Sequence, residues 1–134
     1  MNNQTASVNV PITRIALVGH CGFDGSSLSR WLEASFPELE VTRVNDQAAL
    51  DAVAEPESLL LINRLIEGRF SSASSLDMIR ELAAGESKPA MMLISNYPES
   101  QAQAVDAGAL PGFGKQDIGR RDAVDRLKEM IYAR

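Results

Sequence analysis

The chain has 134 residues, of which 45% are hydrophobic and 23% are charged, and its formal net charge is −5. A chain of this length and composition forms one globular domain with a hydrophobic core of its own. The acidic balance disfavours a nucleic-acid-binding protein, because such a surface needs a basic patch that displaces counterions. The only cysteine, Cys21, excludes an internal disulfide and a site with several cysteine ligands.

The first residues are mostly polar, and they lack the basic start and the apolar stretch of a signal peptide. No apolar run in the sequence approaches the roughly 18 residues that span a bilayer. We therefore expect a cytoplasmic protein that has no membrane partner. We also expect residues 1–12 to form a flexible N-terminal arm and residues 13–134 to form the folded domain.

The first two predicted strands differ in their patterns. Residues 15–18 (IALV) are a continuous apolar run that ends at Gly19, which is typical of a strand covered on both faces. Residues 39–42 (LEVT) alternate between apolar and polar, as an edge strand does. The helix between them is predicted to have Ser26 or Ser27 as its N-cap. Its apolar face consists of four residues at helical spacing: Leu28, Trp31, Leu32 and Phe36.

The alternation of helices and strands continues along the chain. Asn45 or Asp46 is predicted to cap a short second helix. Residues 59–62 (LLLI), which end at Asn63, are the strongest signal for a central strand. Residues 90–94 (AMMLI) predict the fourth strand by the same criterion.

Two further helices have recognisable ends. Ser74 and Asp77 resemble a capping box, which predicts the start of the third helix. The fourth helix is predicted over residues 98–107, and Gly108 stops it. Residues 112–114 (GFG) predict only a weak fifth strand, because glycine destabilises strands.

The closing helix has a single apolar face, formed by Ala123, Val124, Leu127, Met130 and Ile131. Five strand–helix pairs in succession predict an α/β fold. Its five-stranded parallel sheet would have helices on both faces, connected by right-handed crossovers.

The functional crevice of such a sheet lies outside the carboxyl ends of its strands. The residues predicted at those ends are Gly19, His20, Asn63, Ser95 and Lys115. Three segments of the chain carry a resemblance to a known family: residues 93–98 (LISNYP), 107–109 (AGA) and 112–115 (GFGK). They resemble the CheY-like receiver domains of bacterial response regulators, which have a flavodoxin-like (βα)5 fold, and are most similar to receivers of LuxR-type regulators.

The resemblance implies roles for some of these residues. In that family two acidic residues after the first strand hold Mg²⁺, and an aspartate at the end of the third strand accepts the phosphoryl group. A Ser or Thr after the fourth strand and a Lys after the fifth hold the phosphoryl oxygens, and these roles map onto Ser95 and Lys115. The acidic residues do not map, because Gly19, His20 and Asn63 stand at their positions.

These replacements predict a degenerate phospho-acceptor pocket. Mg²⁺ prefers carboxylate oxygens, whereas glycine offers no side chain and the imidazole of His20 is a poor ligand for it. The neutral carboxamide of Asn63 lacks the nucleophilicity that an acyl phosphate requires. Asp24 in the same loop adds one carboxylate, which alone would make a weak site. We therefore expect a pseudo-receiver with no metal and no cofactor.

Several of these residues have a second interpretation. His20 and Cys21 are metal-ligand types, but the chain has no further His or Cys, so a loop histidine and a small buried thiol are favoured. The glycine-rich loop after the first strand resembles a phosphate-binding loop in composition only, since the known spacings are absent. Lys115 is expected to donate to Asn63 or Ser95. That contact would either lock a phosphate-independent conformation or be a relic polar cluster.

The leading hypothesis is a non-enzymatic signalling module that binds a protein partner: a kinase, a regulator or a second copy of itself. The last two helices are the expected surface for a homodimer. The alternative is a sensor domain that binds a small ligand or an anion in the crevice. An enzyme is disfavoured, because the chain has one histidine and no visible nucleophile–base pair.

Overall fold

The computed structural model describes residues 10–132. Most of the predicted N-terminal arm falls on residues 1–9, which lie outside the described residues. The strands are β1 (Arg14–Val18), β2 (Glu40–Val44), β3 (Ser58–Asn63), β4 (Ala90–Ile94) and β5 (Leu110–Phe113). The helices are α1 (Gly22–Ser35), α2 (Gln47–Val53), α3 (Ser75–Ala84), α4 (Pro98–Ala107) and α5 (Arg121–Tyr132), with a 3₁₀ turn at Lys115–Asp117.

The five strands form one parallel sheet in the order β2-β1-β3-β4-β5. The predicted fold class is therefore confirmed, including the position of β2 at an edge. The strand order reverses direction between β1 and β3, and the helices that follow these two strands, α1 and α3, pack on opposite faces of the sheet. In such sheets the crevice lies at the carboxyl edge.

Both faces of the sheet are buried, which explains the continuous apolar runs of the sequence. In β1, Ile15 and Leu17 belong to a core shared with α1 and α5, whereas Ala16 and Val18 belong to a second core shared with α2, α3 and α4. Alternate residues of a strand point to opposite faces, so a strand between two cores needs an apolar residue at every position.

The helix faces agree with the predicted periodicity. Ala123, Leu127 and Ile131 of α5 are buried against the sheet. Trp31 of α1 is partly buried and packs edge-on against Phe113, with 5.8 Å between the ring centroids. Trp31 is therefore a packing residue of the first core.

The helix starts were predicted less well than the helix faces. The prediction that Ser26 or Ser27 caps α1 is wrong: the helix begins at Gly22, and the Cys21 thiol accepts a hydrogen bond from the Asp24 N–H. Asp46 caps α2, and the Ser74 hydroxyl accepts from the Asp77 N–H as predicted. The earlier start of α1 places Asp24 in the first helical turn.

The end of α4 agrees with its prediction. Gly108 ends this helix at φ 125°, a conformation that favours glycine, which confirms the predicted stop. Within residues 10–132, no helix combines the length and the apolar character that crossing a membrane requires.

Candidate functional site

The predicted site residues all lie at the carboxyl edge of the sheet. Asn63, Ser95 and Lys115 line one cleft of about 230 Å³, together with Arg64 and other residues of the loops after β3 and β4. Gly19 contacts this group through a hydrogen bond to Asn63. The structure therefore brings four of the five predicted residues together, and His20 lies beneath them in the interior.

Asn63 ends β3 and is almost completely buried. Its side-chain Nδ2 donates to the Gly19 carbonyl at 3.0 Å and to the Leu65 carbonyl at 2.8 Å. Together the two bonds use both N–H groups of the carboxamide, and an ionised carboxylate has no N–H group to donate. An ionised aspartate at this position would face two carbonyl oxygens instead.

Gly19 follows β1 with φ 75°, in the left-handed region. A Cβ at this position would lie 2.9 Å from both the Cα and the Cβ of Ile66. Ile66 belongs to the loop after β3, and it fills the space into which a side chain at position 19 would extend. A hydrogen bond holds the loop against the turn after β1: the Glu67 N–H donates to the Gly19 carbonyl at 2.9 Å.

The next part of the same loop, around Arg69, is hydrogen-bonded to the residues that follow β2. The Arg69 N–H donates to the Asn45 carbonyl at 2.9 Å, and the Gln47 N–H donates to the Arg69 carbonyl at 2.8 Å. Gly68 makes this pairing sterically feasible, since a Cβ there would collide with the Asn45 backbone. The sequence analysis did not predict these hydrogen bonds. Gly68 fits them, because this position has no room for a side chain.

His20 is 1% exposed and donates from Nε2 to the Leu61 carbonyl at 2.9 Å. Burial lowers the pKa of His20 below its ordinary value of 6.5, although the bond to Leu61 opposes this shift. The nearby cations Lys115 and Arg43 lower the pKa further, and the Asp24 carboxylate raises it. His20 is thus a neutral core residue, whose Nδ1 has no hydrogen-bond partner among the described residues.

Lys115 donates from Nζ to the Asp24 carboxylate at 2.6 Å. This hydrogen bond is the largest cause of the lowered pKa of Asp24. The prediction that Lys115 contacts Asn63 or Ser95 is wrong. Because α1 begins at Gly22 rather than near Ser26, Asp24 comes within reach of the ammonium group and neutralises it.

Ser95 is buried after β4, and its hydroxyl oxygen accepts from the Tyr97 N–H at 3.1 Å. Tyr97 and Leu65 are exposed at the rim of the cleft. The Arg64 guanidinium lies 4.9 Å from the centroid of the Tyr97 ring, a distance typical of a cation–π contact. The cleft therefore has a polar floor and a partly apolar rim.

The resemblance implies a Mg²⁺ ion at this edge, and the residues present do not fit one. The space at Gly19 is filled by Ile66, the His20 imidazole is bonded to a backbone carbonyl, and the Asp24 carboxylate is paired with Lys115. Mg²⁺ needs several oxygen ligands in octahedral geometry. Within residues 10–132, no three His, Cys, Asp or Glu side chains are placed to share a metal ion.

Solved structures of response-regulator receiver domains have a similar fold. The receiver domain of the stress response regulator RcsB from Escherichia coli matches with a TM-score of 0.70 at 14% identity, over 92% of this chain and 95% of that chain. A LuxR-family DNA-binding response regulator from Staphylococcus aureus matches with a TM-score of 0.67 at 9% identity, over 91% and 98%.

A third similar structure is the beryllofluoride-activated NtrC4 receiver domain dimer, with a TM-score of 0.64 at 15% identity over 91% of this chain and 96% of that chain. Comparison with protein-family models and with curated proteins finds no match. The chain has the fold of a response-regulator receiver domain.

Proposed function

We propose that this protein is a pseudo-receiver: a cytoplasmic signalling module of the two-component type that acts without phosphorylation. It works through contact with a protein partner and catalyses no reaction. The single observation that carries this proposal is the pair of hydrogen bonds that Asn63 donates to the carbonyls of Gly19 and Leu65. A neutral amide at the acceptor position is thereby built into the backbone structure of the crevice.

Two other contacts support the same proposal. Ile66 fills the space beside Gly19 in which a metal-binding carboxylate would extend. Lys115, which the resemblance assigns to a phosphoryl oxygen, is already paired with Asp24. Asn63 and Lys115, which stand at two positions of the phosphoryl-binding group, thus each have a partner within the chain.

The surface for the partner is the shallow groove between α4 and α5, which extends over β5. This groove has a volume of about 360 Å³, and its lining includes Ala102, Val105, Asp106, Pro111 and Arg126. Val105 is 42% exposed. Asp106 on α4 and Arg126 on α5 have opposite charges, so a second copy related by a twofold axis could pair each with the other.

A homodimer is therefore the partner that we favour, and a kinase or another regulator remains an alternative for the same surface. The similar NtrC4 structure is a receiver dimer in its own right. Sedimentation equilibrium of the protein over a range of concentrations tests the homodimer. Val105→Glu would weaken association at least about tenfold, and Leu65→Glu, at the crevice rim, would leave it unchanged.

The phosphorylation-independent part of the proposal has its own test. The protein is incubated with Mg²⁺ and a small phosphoryl donor such as phosphoramidate, and its intact mass is measured. We expect no gain of a phosphoryl group, under conditions in which a competent receiver is modified. Stable phosphorylation of an aspartate or of Ser95 would show that the proposal is wrong.

The cleft also favours a second candidate function, the binding of a small anion. Arg64, Ser95 and Lys115 line it with donor groups, and Tyr97 adds an exposed aromatic surface. A ligand that binds only the native state raises thermal stability. A melting-temperature screen with phosphate-containing metabolites would identify such a ligand, and Arg64→Ala would remove the stabilisation.

A further inference from the structure

The two strands nearest the proposed partner surface are joined by an irregular ladder. Between β4 and β5 only Met92 pairs with Leu110 and Ile94 with Phe113, and the register shifts between these two pairs. Backbone groups at such an irregularity lose their regular ladder partners. Gly112 lies at this place in β5.

The side chain of Gln101 hydrogen-bonds to backbone groups around this irregularity. Its Oε1 accepts from the Gly112 N–H at 3.0 Å, and its Nε2 lies 2.9 Å from the Leu93 carbonyl and 3.1 Å from the Ser95 carbonyl. A third carbonyl, that of Phe113, is 3.4 Å from the same nitrogen. One side chain from α4 therefore bridges both strands.

The helix on the other side of the groove reaches the same glycine. Arg126 of α5 donates from Nη1 to the Gly112 carbonyl. Gly112 also has no room for a side chain, because a Cβ there would collide with the Leu93 carbonyl. The N–H and the C=O of one residue of β5 are thus held by α4 and by α5, respectively.

We propose that Gln101, Gly112 and Arg126 form a clamp that fixes α4 and α5 relative to β5, whatever occupies the crevice. Because Gln101 and Arg126 also line the groove, the clamp sets the shape of the proposed partner surface. A shift of α4 along β5 would break several hydrogen bonds of Gln101 at once. That the clamp shapes a partner surface rests on the proposed function, whereas the clamp itself is argued from the contacts of Gln101, Gly112 and Arg126 alone.

The clamp is tested by amide hydrogen exchange of the full chain, measured by NMR, in the variant Gln101→Met. Methionine keeps a similar volume and removes every hydrogen bond. We expect the Gly112 amide to exchange at least about tenfold faster than in the wild type, because Gln101 Oε1 is its only described acceptor. Gln103→Met is the matched control, since Gln103 lies on the same helix with its side chain exposed. Exchange at Gly112 within about twofold of the wild type in Gln101→Met would overturn the proposal.

A second measurement separates a clamp from a residue that only adds stability. Asp24→Asn changes the crevice by releasing Lys115. In the wild-type background we expect this substitution to change the amide chemical shifts of residues around the crevice and to leave those of Val105 and Arg126 unchanged. In the Gln101→Met background we expect the changes to extend to Val105 and Arg126. Equal extension in both backgrounds would show that Gln101 does not isolate the groove.

The clamp and the proposed function fail separately. A phosphoryl group gained by the wild-type protein would contradict the proposed function, and it would not alter the exchange rate expected at Gly112. Rapid exchange at Gly112 in the wild type would remove the clamp and leave the proposed function in place.

Discussion

Ile66 lies in the space that a side chain at Gly19 would need, with its Cα 2.9 Å from the position of a Cβ there. The loop after β3 and the turn after β1 are thus complementary in shape. An acidic residue introduced at position 19 would have to displace the loop, and its backbone would have to keep a positive φ that favours glycine. The position of the loop therefore depends on the absence of a side chain at position 19.

This complementarity predicts a large difference between two glycine substitutions. Gly19→Ala should destabilise the protein by about 2 kcal/mol or more, because it adds backbone strain and a steric collision. Gly22→Ala is the control: apart from its chain neighbours and the backbone of its own helix, no described atom lies within 4 Å of its Cβ position, and its φ is not positive. Urea denaturation measures both. Similar free energies of unfolding for the two variants would contradict the proposed fit between Ile66 and Gly19.

Asn63→Asp should destabilise the protein by about 1–3 kcal/mol, because the Gly19 and Leu65 carbonyls lose the N–H groups that now donate to them. Those carbonyls would raise the pKa of the introduced carboxyl, so the folded state would bind its proton more tightly than the unfolded state. The loss should therefore be larger at pH 7 than near pH 4. Denaturation at the two pH values measures this difference.

Asn96→Asp is the control for that experiment. Asn96 is exposed, and its Oδ1 accepts from the Gln116 N–H, which a carboxylate also does. Its stability should change by less than about 0.5 kcal/mol. An Asn63→Asp variant as stable as Asn96→Asp at pH 7 would contradict the assigned amide orientation.

The buried His20 predicts a fall in stability on mild acidification. Because the folded state lowers the pKa of His20 below 6.5, the unfolded state binds more protons as the pH falls below that value. The free energy of unfolding should therefore decrease from about pH 7 to pH 5. His20→Gln, which keeps a donor for Leu61, should show a weaker dependence over this range. An identical pH profile for the variant and the wild type would contradict the assignment.

The Asp24–Lys115 pair predicts a small effect at lower pH. Its side chains are 26% and 37% exposed, respectively, so Asp24→Asn should cost less than about 1 kcal/mol at pH 7. The pKa of Asp24 is lowered on folding, so its contribution is present above the ordinary value of 3.8 and is lost as the pH falls through the lowered value. Melting curves of both proteins should converge at the acidic end. A constant difference at all pH values would point to packing instead of charge.

Much of the fold was predictable because it depends on local patterns. A strand buried on both faces must be apolar at every position, as in β1, and a helix on a sheet must repeat its apolar residues, as in α5. The five residues at the carboxyl edge followed from the fold and from the family resemblance. The predictions failed where loops meet, because contacts between residues far apart in the chain leave little local signal.

The start of α1 shows how one local error propagates. Ser26 and Ser27 are strong N-cap residues, and the cap formed instead at Cys21, which is a less usual choice. The early start placed Asp24 beside Lys115, 91 residues away in the chain. The contacts of Ile66 with Gly19 and of Gln101 with Gly112 were also missed, because they too join residues that are far apart in the chain.

The most direct test of the central claim is an NMR titration of the amide resonances, first with Mg²⁺ and then with Mg²⁺ and beryllofluoride, a phosphoryl mimic. For a pseudo-receiver we expect the resonances of Gly19, Asn63, Ser95 and Lys115 to stay in place through both additions. Shifts of these resonances that occur together and saturate would show that the crevice still binds a metal and phosphoryl oxygens, and they would contradict the proposal of a pseudo-receiver.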